Sequence, residues 1–471
     1  MKRHNLFKVV MICILVAVVL SWVLPVVYYS SSSGLIDEGT REQIGIFSVM
    51  SYIGIAVQYF SHIGIYVLLV GGLYGVLNRL PAYKNLIDKV VKTFKKKEWI
   101  FLLIAMLFVA GVSAFAGMNL AIIVAFPFII AVILAMGYDR ITAALATAGS
   151  VAAGLIGSAF SVKNTYGIDS VLKTAPNTHL KLKALLFVIA VGLMIVYTIV
   201  IYARKHRDSK DVDNKILLPE VAGSKKAKVW PLVVVLDLLL ILTVVAFINW
   251  KDAFGIDFFE TVHTKINSFA IFDFNVFQKL FGVSSALGNW TLVEGSVLIV
   301  IATYIISFIY RVKFSDFISN FMNGCEKALK AAILVVLVYV VLVATTYVPY
   351  VLTIVKPMLT LTDTLNVFTM SITSFIASVL SVESYYAGTG VLPYVMSIYT
   401  DLASSDVTLL SLIWQSMYGL AMLVAPTSVV LLATLAYLNV PYQKWLKNVW
   451  KVFLAILVCL LALFLLLTMI M

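Results

Sequence analysis

Two groups of polar side chains stand within or at the ends of apolar segments: Asn119, Ser158, Ser161, Lys163, Asn164 and Thr165, and then Glu383, Ser384, Thr389, Thr427 and Ser428. Hydroxyl, amide and freed carbonyl oxygens are hard ligands that suit Na+ or the polar groups of a small solute, and helix-end N–H groups beside them suit a carboxylate. The candidate Na+ position lies near Asn164 and Thr427. For any single Ser or Thr, packing between membrane helices is the competing account. Lys163 and Glu383 demand more, because an uncompensated charge at bilayer depth costs about 2.5 to 17 kcal/mol by different estimates. At depth they face water, substrate or each other; at an external helix end Lys163 instead snorkels. A buried Lys163 supplies a fixed positive charge that counters an anion or replaces a cation, and a buried Glu383 is a candidate carrier of a proton or cation.

These residues belong to a chain that no soluble fold accommodates. Of its 471 residues 62% are hydrophobic and only 12% charged, with a mean hydropathy of +1.02. Such composition marks an all-α polytopic membrane protein embedded in a lipid bilayer. The net charge of +12 is spread over short Lys/Arg runs between apolar segments, where it sets orientation, so nucleic acid is not an expected partner. Cys13, Cys325 and Cys459 have no ligand-like spacing, and His4, His62, His179, His206 and His263 are scattered. No metal centre, cofactor or enzymatic constellation is expected, since a convergent nucleophile, carboxylate pair or His cluster is absent.

The elements that position the two groups follow from hydropathy. An apolar run from Val9 to Tyr29 is read as a retained helix, with a cleaved signal peptide as the alternative. A polar connection and an amphipathic piece through Tyr59 precede a span from Ser61 to Leu80, whose Gly64, Gly71, Gly72 and Gly75 form a helix-packing or dimer surface. Residues 82–97 read as a basic amphipathic helix lying flat on the membrane, or as an ordinary cytoplasmic loop. Two short arms within about 99–137, joined at Phe115–Asn119, are expected as a re-entrant hairpin rather than two full spans. The segment 143–165 is expected to break between Gly157 and Thr165, because backbone that loses helix at depth must line a cavity or be buried in protein. An external stretch with Pro176 and a span from Ala184 to Tyr202 follow.

The charged residues 204–229 read as a cytoplasmic linker. Residues 230–290 hold one extra span and an external segment, a small ordered cap or a loop. The second half repeats the order: spans at Leu292–Ile309 and Ala331–Tyr347 around a basic loop, a Pro-bearing stretch from Val348, a hairpin within about 367–400 with a polar turn at Ser381–Gly390, a segment 407–438 broken near Ala425–Ser428, and a last span from Val449. The units are thus 1–203, 204–229, 230–290 and 291–471. Counted this way there are nine crossings, with a cytoplasmic N-terminus and an external C-terminus. Inverted repeats with discontinuous helices mark secondary transporters, with substrate and coupling ion near the midplane.

Two stretches also carry a resemblance: AFPFIIAVILAMGYDRITAALATAGSVAAGLIGSAFSVKN at Ala125–Asn164 and MYGLAMLVAPTSVVLLATLAYLNVPYQKWLK at Met417–Lys447. They resemble the signature regions of the C4-dicarboxylate anaerobic carriers and the basic amino-acid antiporter (YfcC-like) branch of the ion transporter superfamily. The resemblance implies an elevator-type carrier in the cell membrane, usually a homodimer, that moves amino acids or carboxylates and is driven by Na+, H+ or a counter-substrate. Met118 and Asn119 stand where that pattern has a glutamate pair, Lys163-Asn164-Thr165 where it has Asn-Pro, and Ser384–Gly390 where it has Ser-Gly-Ser. A cation-independent uniporter or exchanger is therefore one alternative, and a membrane enzyme or lipid-handling protein on a carrier fold is another.

Overall fold

The computed structural model describes residues 5–30, 34–37, 43–175, 178–206, 217–272, 274–282, 284–399 and 402–470. His4, Pro176, Arg207, Asp273 and the linker residues 208–216 lie outside them. Without water to satisfy peptide groups, apolar segments close their hydrogen bonds internally, so the described chain is overwhelmingly helical. Its strands are two short ribbons, Val27–Ser30 with Gly34–Asp37 and Ala270–Ile271 with Phe274–Asn275.

Nine helices among the described residues are long and apolar enough to cross a membrane. The number equals the expected one, but the membership differs. Glu98–Ala116, expected as a short hairpin arm, has 19 residues and qualifies, whereas Arg140–Ile156 stops short of spanning length at its break.

Two sequence readings need correction. The amphipathic piece before Tyr59 and the span after it form one helix, Ile46–Leu77. The basic loop 311–330 is largely helical and continues into the next span as Phe314–Tyr347. At 1.5 Å rise per residue each is roughly 50 Å long, well beyond a hydrocarbon core of about 30 Å. They pack on each other through the glycine face: a Cβ on Gly71 would lie 2.7 Å from the Gly324 carbonyl oxygen, and one on Gly75 2.3 Å from that of Asn320. The glycines thus serve helix packing within the chain.

Each long helix leads into the same series. A short amphipathic helix follows (Pro81–Thr93; Val351–Leu359), then two arms around a tight tip (Glu98–Ala116 and Ala121–Ala135; Val367–Ser381 and Ser384–Ile398). Next come an interrupted helix (Arg140–Ile156 and Val162–Leu172; Ser404–Val424 and Val429–Tyr437) and a closing helix (Leu180–Lys205; Tyr442–Ile470). Pro81–Thr93 buries Ala82, Tyr83 and Ile87 and sets Tyr83 against Phe128 of the first hairpin, ring centroids 6.4 Å apart. Residues 250–281 are ordered as three short helices and the small ribbon, so the cap alternative holds.

The family-like motifs have structural work. Gly137 turns the chain at φ +89°, and Asp139 caps the following helix by accepting from the Thr142 N–H at 2.8 Å and from the Tyr202 hydroxyl at 3.0 Å. Beyond the second break, Trp445 Nε1 donates to the Leu423 carbonyl at 2.9 Å and the Tyr442 hydroxyl donates to that of Val424. They occupy acceptors that the helix end leaves free.

Candidate functional site

Both tips and both breaks converge. Glu98–Ala116 ends at Gly117, whose φ of +64° lies in the left-handed region that glycine enters without a Cβ penalty. A Cβ there would also meet Ser161 Oγ at 2.5 Å. The first interruption runs from Gly157 to Ser161, and Ser161 caps the next helix through the Asn164 N–H at 3.4 Å. Lys163, Asn164 and Thr165 consequently stand in the first turn of that helix, not in the unwound segment. In the second half the polar turn contracts to Val382 and Glu383, because Ser384–Gly390 is helical.

The first junction is a closed network. Asn119 Nδ2 donates to Asn164 Oδ1 at 2.6 Å, and Asn164 Nδ2 donates to the Ser113 carbonyl at 3.1 Å and to Ser158 Oγ at 2.9 Å. Ser113 Oγ donates back to Asn119 Oδ1 at 2.9 Å. Gln415, from the other half, donates to the Ser158 carbonyl at 2.9 Å. A hairpin tip and a broken helix are thereby fastened as one body.

The second junction is thinner and charged. Thr427 Oγ1 donates to the Val379 carbonyl at 2.6 Å, tying the break to the hairpin arm. Glu383 Oε1 accepts from the Tyr339 hydroxyl at 2.5 Å. Tyr339 belongs to the long helix Phe314–Tyr347 and stacks on Phe60 of Ile46–Leu77 at 3.9 Å. Lys163 also reaches outside its own unit: its Nζ donates to the Trp290 carbonyl at 2.7 Å and lies 4.7 Å from the Phe247 ring centroid.

Between the junctions lies a cavity of ≈ 450 Å³, within the range of small-molecule sites. Six of the sequence candidates line it: Asn119, Lys163, Asn164, Glu383, Ser384 and Ser428. Ser158, Ser161, Thr165 and Thr427 stand behind them as fasteners; the Thr165 hydroxyl returns to the Ser161 carbonyl at 3.3 Å. Thr389 lies off the cavity, its hydroxyl bonded to Tyr385 in its own helix. The candidate Na+ oxygens at Asn164 and Thr427 are engaged with protein groups.

Sequence reasoning missed His62, Phe247, Trp290, Tyr339 and Tyr418 in the wall, and Ser113 behind it. A usable signal existed for His62, an ionisable residue within an apolar helix; the aromatic residues had none, since long spans are rich in such side chains.

Four helix starts face this cavity: Ala121, Val162, Ser384 and Val429, with Leu120, Ala121, Lys163, Ser384, Ser428 and Val429 in its wall. Helix N-termini carry unpaired N–H groups and partial positive charge, so their convergence with a lysine makes an anion site.

A family model for the C4-dicarboxylate anaerobic carriers matches residues 4–470. The chain belongs to the C4-dicarboxylate anaerobic carrier family. The resemblance drawn from the two signature stretches therefore holds, and it places the chain among multi-span membrane carriers. Among solved structures, the YdaH transporter of Alcanivorax borkumensis, described as having an unusual topology, matches 98% of this chain and 97% of its own at 12% identity and a TM-score of 0.41. No curated protein matches.

Proposed function

We propose that the chain is a secondary active transporter that binds a small carboxylate-bearing solute, an amino acid or an organic acid, in this cavity. The single observation that carries the reading is the meeting of four helix N-termini and Lys163 at one cavity between two interrupted helices. The two hairpins and two interrupted helices form the moving unit, and Ile46–Leu77 with Phe314–Tyr347 form the fixed one, so transport is an elevator movement between them. The hairpins are re-entrant, the halves are oppositely oriented, the N-terminus is cytoplasmic and the C-terminus external, and two copies associate. Charge supports this orientation: the Lys-rich helix 81–93, the 204–229 connection and the basic start of Phe314–Tyr347 all fall on one side.

Lys163 counters the solute's carboxylate. Uptake into proteoliposomes by the Lys163→Gln variant is expected to need about tenfold more solute for half-saturation, with its maximal rate less affected. Unchanged affinity removes Lys163 from the site, and an absence of flux for every small carboxylate overturns the carrier reading. The alternative of a cation-independent uniporter or exchanger draws on Met118 and Asn119 at the first tip and on the Asn164 amide, whose hydrogens fill the junction where a cation would otherwise sit. Counter-substrate exchange that ignores Na+ and H+ gradients favours it.

A further inference from the structure

We infer that the solute carries an ammonium group beside its carboxylate and that Glu383 receives it, so that the cavity recognises a zwitterionic amino acid over a plain dicarboxylate. The inference rests on the carrier reading above and names the class of solute for the same site.

Glu383 is presented by a tip that the surroundings hold in an unusual conformation. The preceding Val382 has φ +62°, a region that a β-branched residue occupies only when its neighbours enforce it. The Tyr418 hydroxyl, donating to the Val382 carbonyl at 3.4 Å, is one of those neighbours. The outcome is a carboxylate facing the cavity with its partners on one side. Oε1 takes the Tyr339 hydroxyl; among the described residues Oε2 accepts no protein hydrogen bond, and no Lys or Arg forms an ion pair with Glu383. His62, in the same cavity wall, is the titratable ring that faces it, and the phenols of Tyr339, Tyr386 and Tyr418 complete its surroundings. A carboxylate among aromatic rings is the chemistry that recognises an ammonium group.

The other charge of the cavity is occupied elsewhere. Lys163 is held by the Trp290 carbonyl and the Phe247 face, so it leaves Glu383 uncompensated. A plain dicarboxylate would set like charge against Glu383, a juxtaposition costly across a binding interface. A zwitterion satisfies both ends: its carboxylate meets the helix N-termini and Lys163, and its ammonium meets Glu383.

The test is competition in proteoliposomes loaded for exchange, comparing aspartate, succinate and N-acetylaspartate. Aspartate differs from succinate by the ammonium group, and N-acetylation removes that charge while keeping both carboxylates. Aspartate is expected to compete at concentrations at least about tenfold below either of the others. The Glu383→Gln variant is expected to narrow that ratio by about tenfold, whatever its overall rate. Succinate competing as well as or better than aspartate in the unmodified protein overturns the inference, and that result needs no variant to fold. So does a Glu383→Gln protein that loses both solutes in equal proportion. A pH gradient that drives succinate uptake only when Glu383 is present also overturns it, assigning the carboxylate to a proton. Flux of succinate alone sinks the inference and spares the carrier reading, whereas no carboxylate flux sinks both.

Discussion

The two junctions occupy equivalent places in the two halves, yet they are built from different chemistry. The first is neutral and self-contained: Ser113, Asn119, Ser158 and Asn164 satisfy one another, and the tip and the break need nothing from the long helices. The second has one hydroxyl fastening, Thr427 to Val379, and a carboxylate that leans on Tyr339 of the fixed unit. The difference teaches that a repeated order of elements need not repeat a site. A closed amide network rigidifies, because each buried donor or acceptor left unmade is costly. A carboxylate with a free oxygen is available for a ligand.

The sharpest way to break this contrast is Asn164→Leu. It strands Asn119 Nδ2, the Ser113 carbonyl and the Ser158 hydroxyl, and a loss of about 3 kcal/mol is expected from the unsatisfied groups together. Thermal unfolding of the detergent-solubilised protein measures it, and an unchanged midpoint would show that the first junction is not structural. Gly167→Ala comes next. Val162–Leu172 crosses Ser384–Ile398 so closely that a Cβ on Gly167 would fall 2.5 Å from Tyr385 Cα, and overpacking of this kind costs about 1 to 3 kcal/mol. Stability equal to the parent protein would mean the two units separate more easily than the crossing implies.

Tyr339→Phe sharpens the second half of the comparison. It removes one hydrogen bond to a carboxylate, about 1.5 kcal/mol at most in an open cavity, and is expected to alter solute preference more than unfolding temperature. A larger effect on stability than Asn164→Leu would reverse the roles assigned to the junctions. The smallest effect is expected far from both. Glu220 bridges Arg79 at 2.6 Å and Lys327 at 2.5 Å, and the Lys327 hydrogen bond, with both charges assisting and partial burial opposing, holds its carboxyl below the ordinary range. A depressed carboxylate contributes stability that is complete above its unfolded value and lost as pH falls through the folded one. Partly exposed pairs are screened, so Glu220→Gln should cost only about 0.2 to 1 kcal/mol at neutral pH and flatten the acid limb of a stability-versus-pH curve. A neutral-pH loss equal to that of Asn164→Leu would contradict it.

Much of the architecture was legible because hydropathy and breaks are local properties. Gly157 and the Ala425–Ser428 stretch interrupt helices where the sequence places the interruptions, since glycine, proline and small polar residues weaken helix wherever they stand. Helix ends were less legible. Ser384–Gly390 contains the small and polar residues of a turn but is helical, because Gly388 is needed for close approach to Gly167 rather than for backbone freedom. The basic residues of 311–330 read as loop, yet a membrane-crossing helix extends into water with no change of hydrogen bonding.

The sequence by itself determined a multi-span helical membrane protein, a repeated order of hairpin and interrupted helix, and the segments that carry the polar groups. Those follow from composition and spacing, which each segment holds on its own. Only the tertiary structure decided that Asn164 closes a network with Ser113 and Asn119, that Lys163 is held by Trp290, and that Glu383 faces the cavity from Tyr339. These pairings join residues far apart in the chain, and the packing of the long helices, not any local propensity, fixes which of them meet.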